Sequence, residues 1–339
     1  MKFINIVTPY DGYNYGAMLQ AYALRSSLEK ITGKSVGIYE YPVGALKQSK
    51  TLKGYVAELM SLPQRGNIRL REKRTDAFKK KWFFLNDEDA NIYICGSDQI
   101  WNPNNIQSKF YLDFVKKGTT KASYAASMGV SNTEPEKLAT ISKMLMDFDF
   151  ISVREPEAKQ MLQKYVDKDI NVHADPTLLL KKEEWYELER PVPDLRSGYI
   201  LIYLLHIPTD AQKVINELKR RLKEPVVLID ASGNVRYLIH SDKAISSAGP
   251  EEFLWLFHNA GYVVTSSFHG TAFSIIYQKP FATLINSSSP SRISNLLKIA
   301  GIDRGSIYHE NLDYTKISKC VDDEQRRSVE YLTRIVNNG

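Results

Sequence analysis

The amino-acid sequence predicts an α/β fold in which two parallel-sheet domains face each other across a cleft. Three observations carry this expectation. The chain has 339 residues, room for two cores at roughly 150 residues per domain. Short β-branched or aromatic runs alternate with stretches of helical spacing, which is the sequence form of βαβ units. The alternation is interrupted once, at residues 181–198 (KKEEWYELERPVPDLRSG), a charged stretch containing Pro191 and Pro193, and then resumes. The expected division is a first domain over 1–180, a linker over 181–198, a second domain over 199–320, and a terminal helix over 321–339 placed to pack back on the first domain.

In the first domain the strand candidates are residues 3–7, 36–39, 91–95, 121–125, 151–153 and 170–173. Between the first two, GAMLQAYALRSSLEKITG sets Leu24, Leu28 and Ile31 at i, i+4, i+7, with Gly33 where a helix would stop. The linker opens on a short helix. In the second domain strands over 199–205, 226–230, 262–266 and 281–285 alternate with helices over 210–223, 250–259, 271–278 and 291–300. A last helix spans 322–337. There is no internal repeat of solenoid length.

Composition narrows the class of function. With 43% hydrophobic and 25% charged residues the chain reads as an ordinary globular protein. Its longest apolar runs, such as residues 199–205, fall far short of the ~18 residues a membrane span needs. MKFINIV reads as a first strand rather than a signal peptide, so a cytoplasmic location is expected. The two cysteines, Cys95 and Cys320, have no metal-ligand spacing around them. That argues against a disulfide framework and a cysteine zinc site, and no metal is expected. The net charge is +6, and residues 65–81 alone carry eight Lys/Arg against Glu72 and Asp76. Such a run is a solvated helix face or a contact with an anionic surface, of which a membrane leaflet or a diphosphate-linked substrate are examples. Phe78, Trp82, Phe83 and Phe84 at its end are compatible with an interfacial helix. Nucleic acid is not expected, because no recognisable binding motif accompanies the charge.

Open parallel sheets bind ligands outside the carboxyl ends of their strands, and the conspicuous motifs fall there. The loop TPYDGYNYG after the first strand places Asn14 and Gly16 at a helix start, where backbone N–H groups attract anions. It contains neither GxGxxG nor a Walker A sequence, so nicotinamide and P-loop chemistry are not indicated. GSDQIWNP follows the strand at 91–95. There Ser97 and Asp98 suit a turn and a cap, and Gln99 and Trp101 offer a hydrogen-bonding group and a flat face for a sugar ring. Ser127 and Arg154 close two further strands; the arginine suits a carboxylate or phosphate, or an ion pair with Glu155. Asp175, before Pro176, reads as a turn or an interdomain contact. In TSSFHGTAFS a buried-looking strand becomes a helix at His269, flanked by Ser267 and Gly270. A histidine there points into the cleft and is placed to act as a general acid once an anionic substrate arrives, with Ser267 and Gly270 as further donors. Arg292 opens the helix after the next strand, placed to hold an acidic group.

Taken in order, YNYGA (13–17) with LQAYAL (19–24), GSDQIWNP (96–103), SYAASMG (123–129), SVRE (152–155), DPTLLL (175–180) and residues 249–281 resemble the polysaccharide pyruvyl transferase family. The resemblance implies two Rossmann-like domains in a GT-B-like arrangement. It implies transfer of the enolpyruvyl-derived group of phosphoenolpyruvate to a sugar of a polysaccharide or lipid-linked glycan, giving a pyruvate ketal. Phosphoenolpyruvate is then the donor substrate, and no cofactor is expected. The family's catalytic histidine maps onto His269; an arginine two places earlier in some members is Ser267 here, with Arg154 or Arg292 as substitutes for its charge. Substrate contacts are expected from Asn14, Gly16, Ser97, Asp98, Gln99, Trp101, Ser127, Arg154, Ser267, Gly270 and Arg292. Peripheral contact with the inner face of the membrane is the expectation for the basic segment. Two other readings stay open: a GT-B glycosyltransferase using a nucleotide-sugar, and a non-catalytic glycan-binding relative.

Overall fold

The computed structural model describes residues 3–10, 14–40, 62–86, 88–284, 290–303 and 305–338. Gly12 in the first loop, Ile285 at the end of an expected strand and residues 286–289 of the Ser-rich loop lie outside the described residues. One sheet contains β1 (Ile4–Val7), β2 (Gly37–Tyr39), β3 (Leu85–Asn86), β4 (Ile92–Cys95) and β5 (Thr120–Ser123). These strands are parallel, in the order β3-β2-β1-β4-β5. A parallel pair, β6 (Ile151–Val153) and β7 (Ile170–Val172), continues past β5 through bridges from Ala122 to Phe150 and from Ala126 to Val153.

The second sheet contains β8 (Ile200–Tyr203), β9 (Val226–Ile229), β10 (Lys243–Ile245), β11 (Tyr262–Thr265), β12 (Phe281–Thr283) and β13 (Tyr308–His309). Its order is β10-β9-β8-β11-β12-β13, with the edge strand β13 antiparallel. The central strands INIV, IYIC, ILIY, VVLI and YVVT are buried at every position. That is the signature of parallel strands covered by helices on both faces. Each sheet reverses its strand order at one place: between β1 and β4 in the first, and between β8 and β11 in the second. Those are the positions where such sheets bind ligands.

The helices in chain order are α1 (Tyr15–Thr32), α2 (Arg65–Trp82), α3 (Pro135–Leu145), α4 (Pro156–Leu162), α5 (Lys182–Tyr186), α6 (Ala211–Leu222), α7 (Pro250–Asn259), α8 (Phe268–Ile276), α9 (Pro290–Ile299) and α10 (Tyr314–Asn338). α1 stops at Gly33, which takes φ 66° and donates its N–H to the Glu29 carbonyl. Tyr15, Met18 and Leu19 of α1 share one buried cluster with Tyr203, Phe253 and Phe273 of the second domain. The Tyr15 ring stacks on Phe253 at 4.6 Å and its hydroxyl donates to the Ala248 carbonyl at 2.8 Å. The expected cleft is therefore closed by direct packing along this seam.

The basic helix α2 is not solvated all round. Arg71, Thr75 and Phe78 are buried on its inner face. Arg74 pairs with Glu252 at 3.1 Å and donates to the Ser247 carbonyl at 2.7 Å, and Trp82 donates to Glu251 at 3.3 Å. Glu251 and Glu252 open α7, so α2 is fastened to the other domain. The interfacial-helix reading fails for most of its aromatic residues. Phe78 and Phe83 lie in the core and Trp82 is tied to Glu251, which leaves Phe84 exposed.

The terminal helix starts at Tyr314, earlier than the spacing indicates, because Ile317 already packs in the shared core. Its second half lies on the first domain. Glu324 accepts from the Ala174 N–H at 2.9 Å, Tyr331 donates to the Ser123 carbonyl at 3.0 Å, and Leu332 and Ile335 pack with Ile4, Ile6, Leu24 and Leu28. The Tyr331 ring lies 4.5 Å from His173, whose Nδ1 is 2.9 Å from Ser152 Oγ. Burial, with Arg327 and Arg334 nearby, pushes His173 down to about 4. The folded protein keeps this ring neutral while an unfolded chain accepts a proton from about pH 6.5 downwards. Stability is therefore expected to fall between about pH 6.5 and 4, by at most about 1.4 kcal/mol per pH unit from this group. Denaturant midpoints measured across that range should show a shallower slope in His173→Gln; an unchanged slope would exclude His173 as its source.

Candidate functional site

His269 is the second residue of α8. Ser267 caps that helix: its Oγ accepts from the Gly270 N–H at 3.3 Å, and its own N–H donates to Thr265 Oγ1 at 3.0 Å. A Cβ on Gly270 would stand 2.2 Å from Thr265 Oγ1, so glycine is needed there for helix–strand packing. This corrects the expectation for Ser267 and Gly270. Both amides are satisfied within the strand-to-helix turn and are not available to a ligand. Asn14 is the N-cap of α1: its Oδ1 accepts from the Gly16 and Ala17 N–H groups at 3.1 and 3.4 Å, and the residue is exposed.

The imidazole of His269 crosses to the first domain. A Cβ on Gly16 would fall 2.0 Å from its Nδ1, so only glycine lets the ring lie against the start of α1. On the other side Nε2 is 3.7 Å from Asp175 Oδ2. Asp175 is 1% exposed, and each oxygen is occupied. Oδ2 accepts from Arg154 Nη1 at 2.8 Å and Ser97 Oγ at 3.2 Å, and Oδ1 accepts from the N–H and hydroxyl of Thr177 at 3.0 and 2.9 Å. Burial alone would raise this carboxyl. The His269 imidazole, the Arg154 guanidinium and the Thr177 N–H outweigh it and hold the group well below the usual carboxylate range. The Ser97 N–H in turn donates to Gln20, whose amide holds Thr8, so the loops after β1 and β4 are locked together.

Arg154 sits between the two domains. Its Nε donates to Glu155 at 3.1 Å, and its guanidinium lies 4.3 Å from the centre of the Phe268 ring. Ser127 braces the same carboxylate with a hydrogen bond of 2.6 Å, and its N–H donates to the Asp98 carbonyl at 2.9 Å. Arg292 of α9 lies in the field of Arg154, Glu155 and Asp98. Burial and then the like charge of Arg154 lower its proton affinity, and the two carboxylates offset this in part. Arg154 Nη2 and Arg292 Nε are both buried without a hydrogen-bond partner among the described residues. Two adjacent cations with unused donors make a site for a group bearing more than one negative charge.

Gly16, Ser97, Arg154 and His269 thus converge on Asp175, and Asp98, Ser127 and Arg292 gather around Arg154 and Glu155. Trp101 does not join them. It is fully buried, stacks on Tyr111 at 5.7 Å and donates its indole N–H to the Phe110 carbonyl at 3.0 Å. The left-handed turn at Asp98 (φ 66°) exposes Gln99 and sends Trp101 inward, so it is a core residue and not a sugar platform. The substrate-contact set also omits Asp175, Glu155, Gln20 and Phe268. Asp-Pro-Thr was a legible signal for the first: a carboxylate that binds its own turn at Thr177 is anchored before any partner arrives.

A profile of the polysaccharide pyruvyl transferase family matches residues 14–288. No curated relative matches the sequence. Among solved structures, UDP-GlcNAc 2-epimerase from Neisseria meningitidis bound to UDP-GlcNAc is similar with a TM-score of 0.53 and 11% identity, covering 100% of this chain and 99% of that one. UDP-GlcNAc 2-epimerase from Methanocaldococcus jannaschii, in complex with UDP-GlcNAc and UDP, gives a TM-score of 0.51 at 14% identity with both chains covered completely. At these identities the likeness establishes the GT-B-like fold alone. With the family profile spanning most of its length, the chain belongs to the polysaccharide pyruvyl transferase family.

Proposed function

We propose that the protein transfers the enolpyruvyl-derived group of phosphoenolpyruvate to a sugar of a polysaccharide or lipid-linked glycan precursor, forming a pyruvate ketal. One observation carries this reading: the buried Arg154 and the half-buried Arg292 hold unused, buried donor nitrogens in one field, close to an imidazole at the seam of the domains. Phosphoenolpyruvate presents a carboxylate and a phosphate on three carbons, which suits two neighbouring guanidinium groups.

In this scheme His269 protonates the methylene carbon, and cationic character develops at the adjacent carbon. A sugar hydroxyl attacks there and returns a proton to His269, the C–O bond to phosphate breaks, and a second hydroxyl closes the ketal as its proton passes to the departing phosphate. The two arginines balance the phosphate as its bond breaks. For a lipid-linked acceptor, the exposed Arg65, Arg69, Lys73 and Lys80 of α2 offer a basic face to an anionic membrane surface. No helix among the described residues is long and apolar enough to cross a membrane, so such contact is peripheral in this proposal.

His269→Ala, folded by circular dichroism, should lower donor-dependent phosphate release by about 10²–10⁴-fold. Near-normal turnover would remove His269 from the mechanism. The arginines should separate by a different pair of measurements. Arg292→Ala relieves a like-charge contact, so it should weaken phosphoenolpyruvate binding about tenfold or more while leaving the melting temperature unchanged or raised. Arg154→Ala strands Asp175 and Glu155 and should also cost about 3–5 kcal/mol of stability. Equal losses of stability in the two variants would count against a donor role for Arg292.

A further inference from the structure

We infer that Asp175 is the positioning residue for His269, and that the pair is completed only when the two domains close on each other. This rests on the reading of His269 as the proton donor and adds to it the step at which that donor is assembled.

The two groups come from opposite halves of the molecule. Asp175 follows β7 in the first domain, and His269 belongs to α8 in the second. Among the described residues, every hydrogen bond to the Asp175 carboxylate comes from the first domain, from Arg154, Ser97 and Thr177, so the carboxylate keeps its place without His269. The imidazole has the opposite dependence. Its Nε2 is buried with no hydrogen-bond partner among the described residues, and its ring rests against Gly16. Its two close neighbours across the seam, Gly16 and Asp175, both belong to the other domain.

At 3.7 Å the Nε2–Oδ2 contact is an ion-pair distance and too long for a hydrogen bond. A further closure of under an ångström would make it one, and hydrogen bonds at catalytic sites commonly tighten in the substrate complex. The ionised carboxylate then selects the tautomer with the proton on Nε2 and stabilises the ring when it carries both protons. The proton delivered to the donor substrate leaves from Nδ1. In the open form the ring loses both Gly16 and Asp175. A donor bound there is not activated while water has access, which limits wasteful hydrolysis.

The test combines turnover with a spectroscopic readout. Asp175→Asn keeps the shape of the side chain. It should lower kcat about 10²-fold with KM for phosphoenolpyruvate within about threefold. Asp175→Glu should recover about tenfold of that loss, and Asp175→Asn added to His269→Ala should be no worse than His269→Ala alone. The ¹⁵N signals of His269, recorded with phosphoenolpyruvate bound and no acceptor present and assigned by difference from His269→Ala, should show an Nε2-protonated ring in the wild type and a mixture of tautomers in Asp175→Asn. Multiplicative losses in the double variant, a kcat within threefold of wild type, or identical ring signals would each overturn the inference. Should Asp175→Asn fail to fold, Asp175→Glu carries the same test, with an unchanged kcat as the overturning result. Full turnover in His269→Ala defeats the reading of the site itself. Loss in His269→Ala with an unaffected Asp175→Asn defeats only the positioning role.

Discussion

The Asp175 carboxylate is buried among neighbours that cannot be moved independently. A charge removed from water costs several kcal/mol unless the protein replaces its hydration, and here the replacement is Arg154, Ser97 and Thr177. Those partners come from the ends of β6 and β4 and from the turn after β7, so satisfying one carboxylate fixes three strand ends at once. The imidazole of the opposite domain completes the environment. What holds the seam together is therefore also what defines its chemistry.

Topology explains why the groups meet. In each sheet the strand order reverses beside its first strand, and helices leave that point in opposite directions, opening a crevice. The loops after β1, β4 and β11 supply Gly16, Ser97 and His269 from those reversals. Arg154 and Asp175 arrive from the extension formed by β6 and β7, a short pair joined to the main sheet by two bridges and by reciprocal hydrogen bonds between Ser123 and Ser152 at 3.1 and 2.8 Å. The aromatic seam of Tyr15, Phe253 and Tyr203, with rings packed at 4.6 to 6.1 Å, then holds the halves together beside the polar groups.

Much of this was legible in the sequence. The β-branched runs located the central strands to within a residue or two, and the order of motifs placed His269, Arg154, Ser97 and Gly16 beside strand ends. The edges were harder. Leu85–Asn86 and Tyr308–His309 are strands of two residues that exist because a neighbour offers a ladder, and they carry no periodicity of their own. Side-chain direction was harder still. Asn14, Ser267 and Trp101 stand in the right loops, yet two of them cap helices and the third fills the core. Local sequence names a residue near a site, whereas its hydrogen-bond duties depend on backbone angles such as the positive φ of Asp98. The docking of α2 on α7 was invisible for a similar reason: a basic run looks the same whether its partners are water or the carboxylates of Glu251 and Glu252.

The last helix has a mechanical effect. The chain passes from the first domain to the second once, after Leu180, and α10 carries it back. Near its start Ser318 accepts from Gln278 of the second domain at 3.2 Å, and farther along Glu324 and Tyr331 grip the first. A stiff 25-residue rod attached at both ends acts as a strut beside the linker. Two covalent crossings side by side oppose shear and torsion between the halves more than they oppose rotation about an axis through the crossings. An opening about that axis brings the same atoms back into register when it closes.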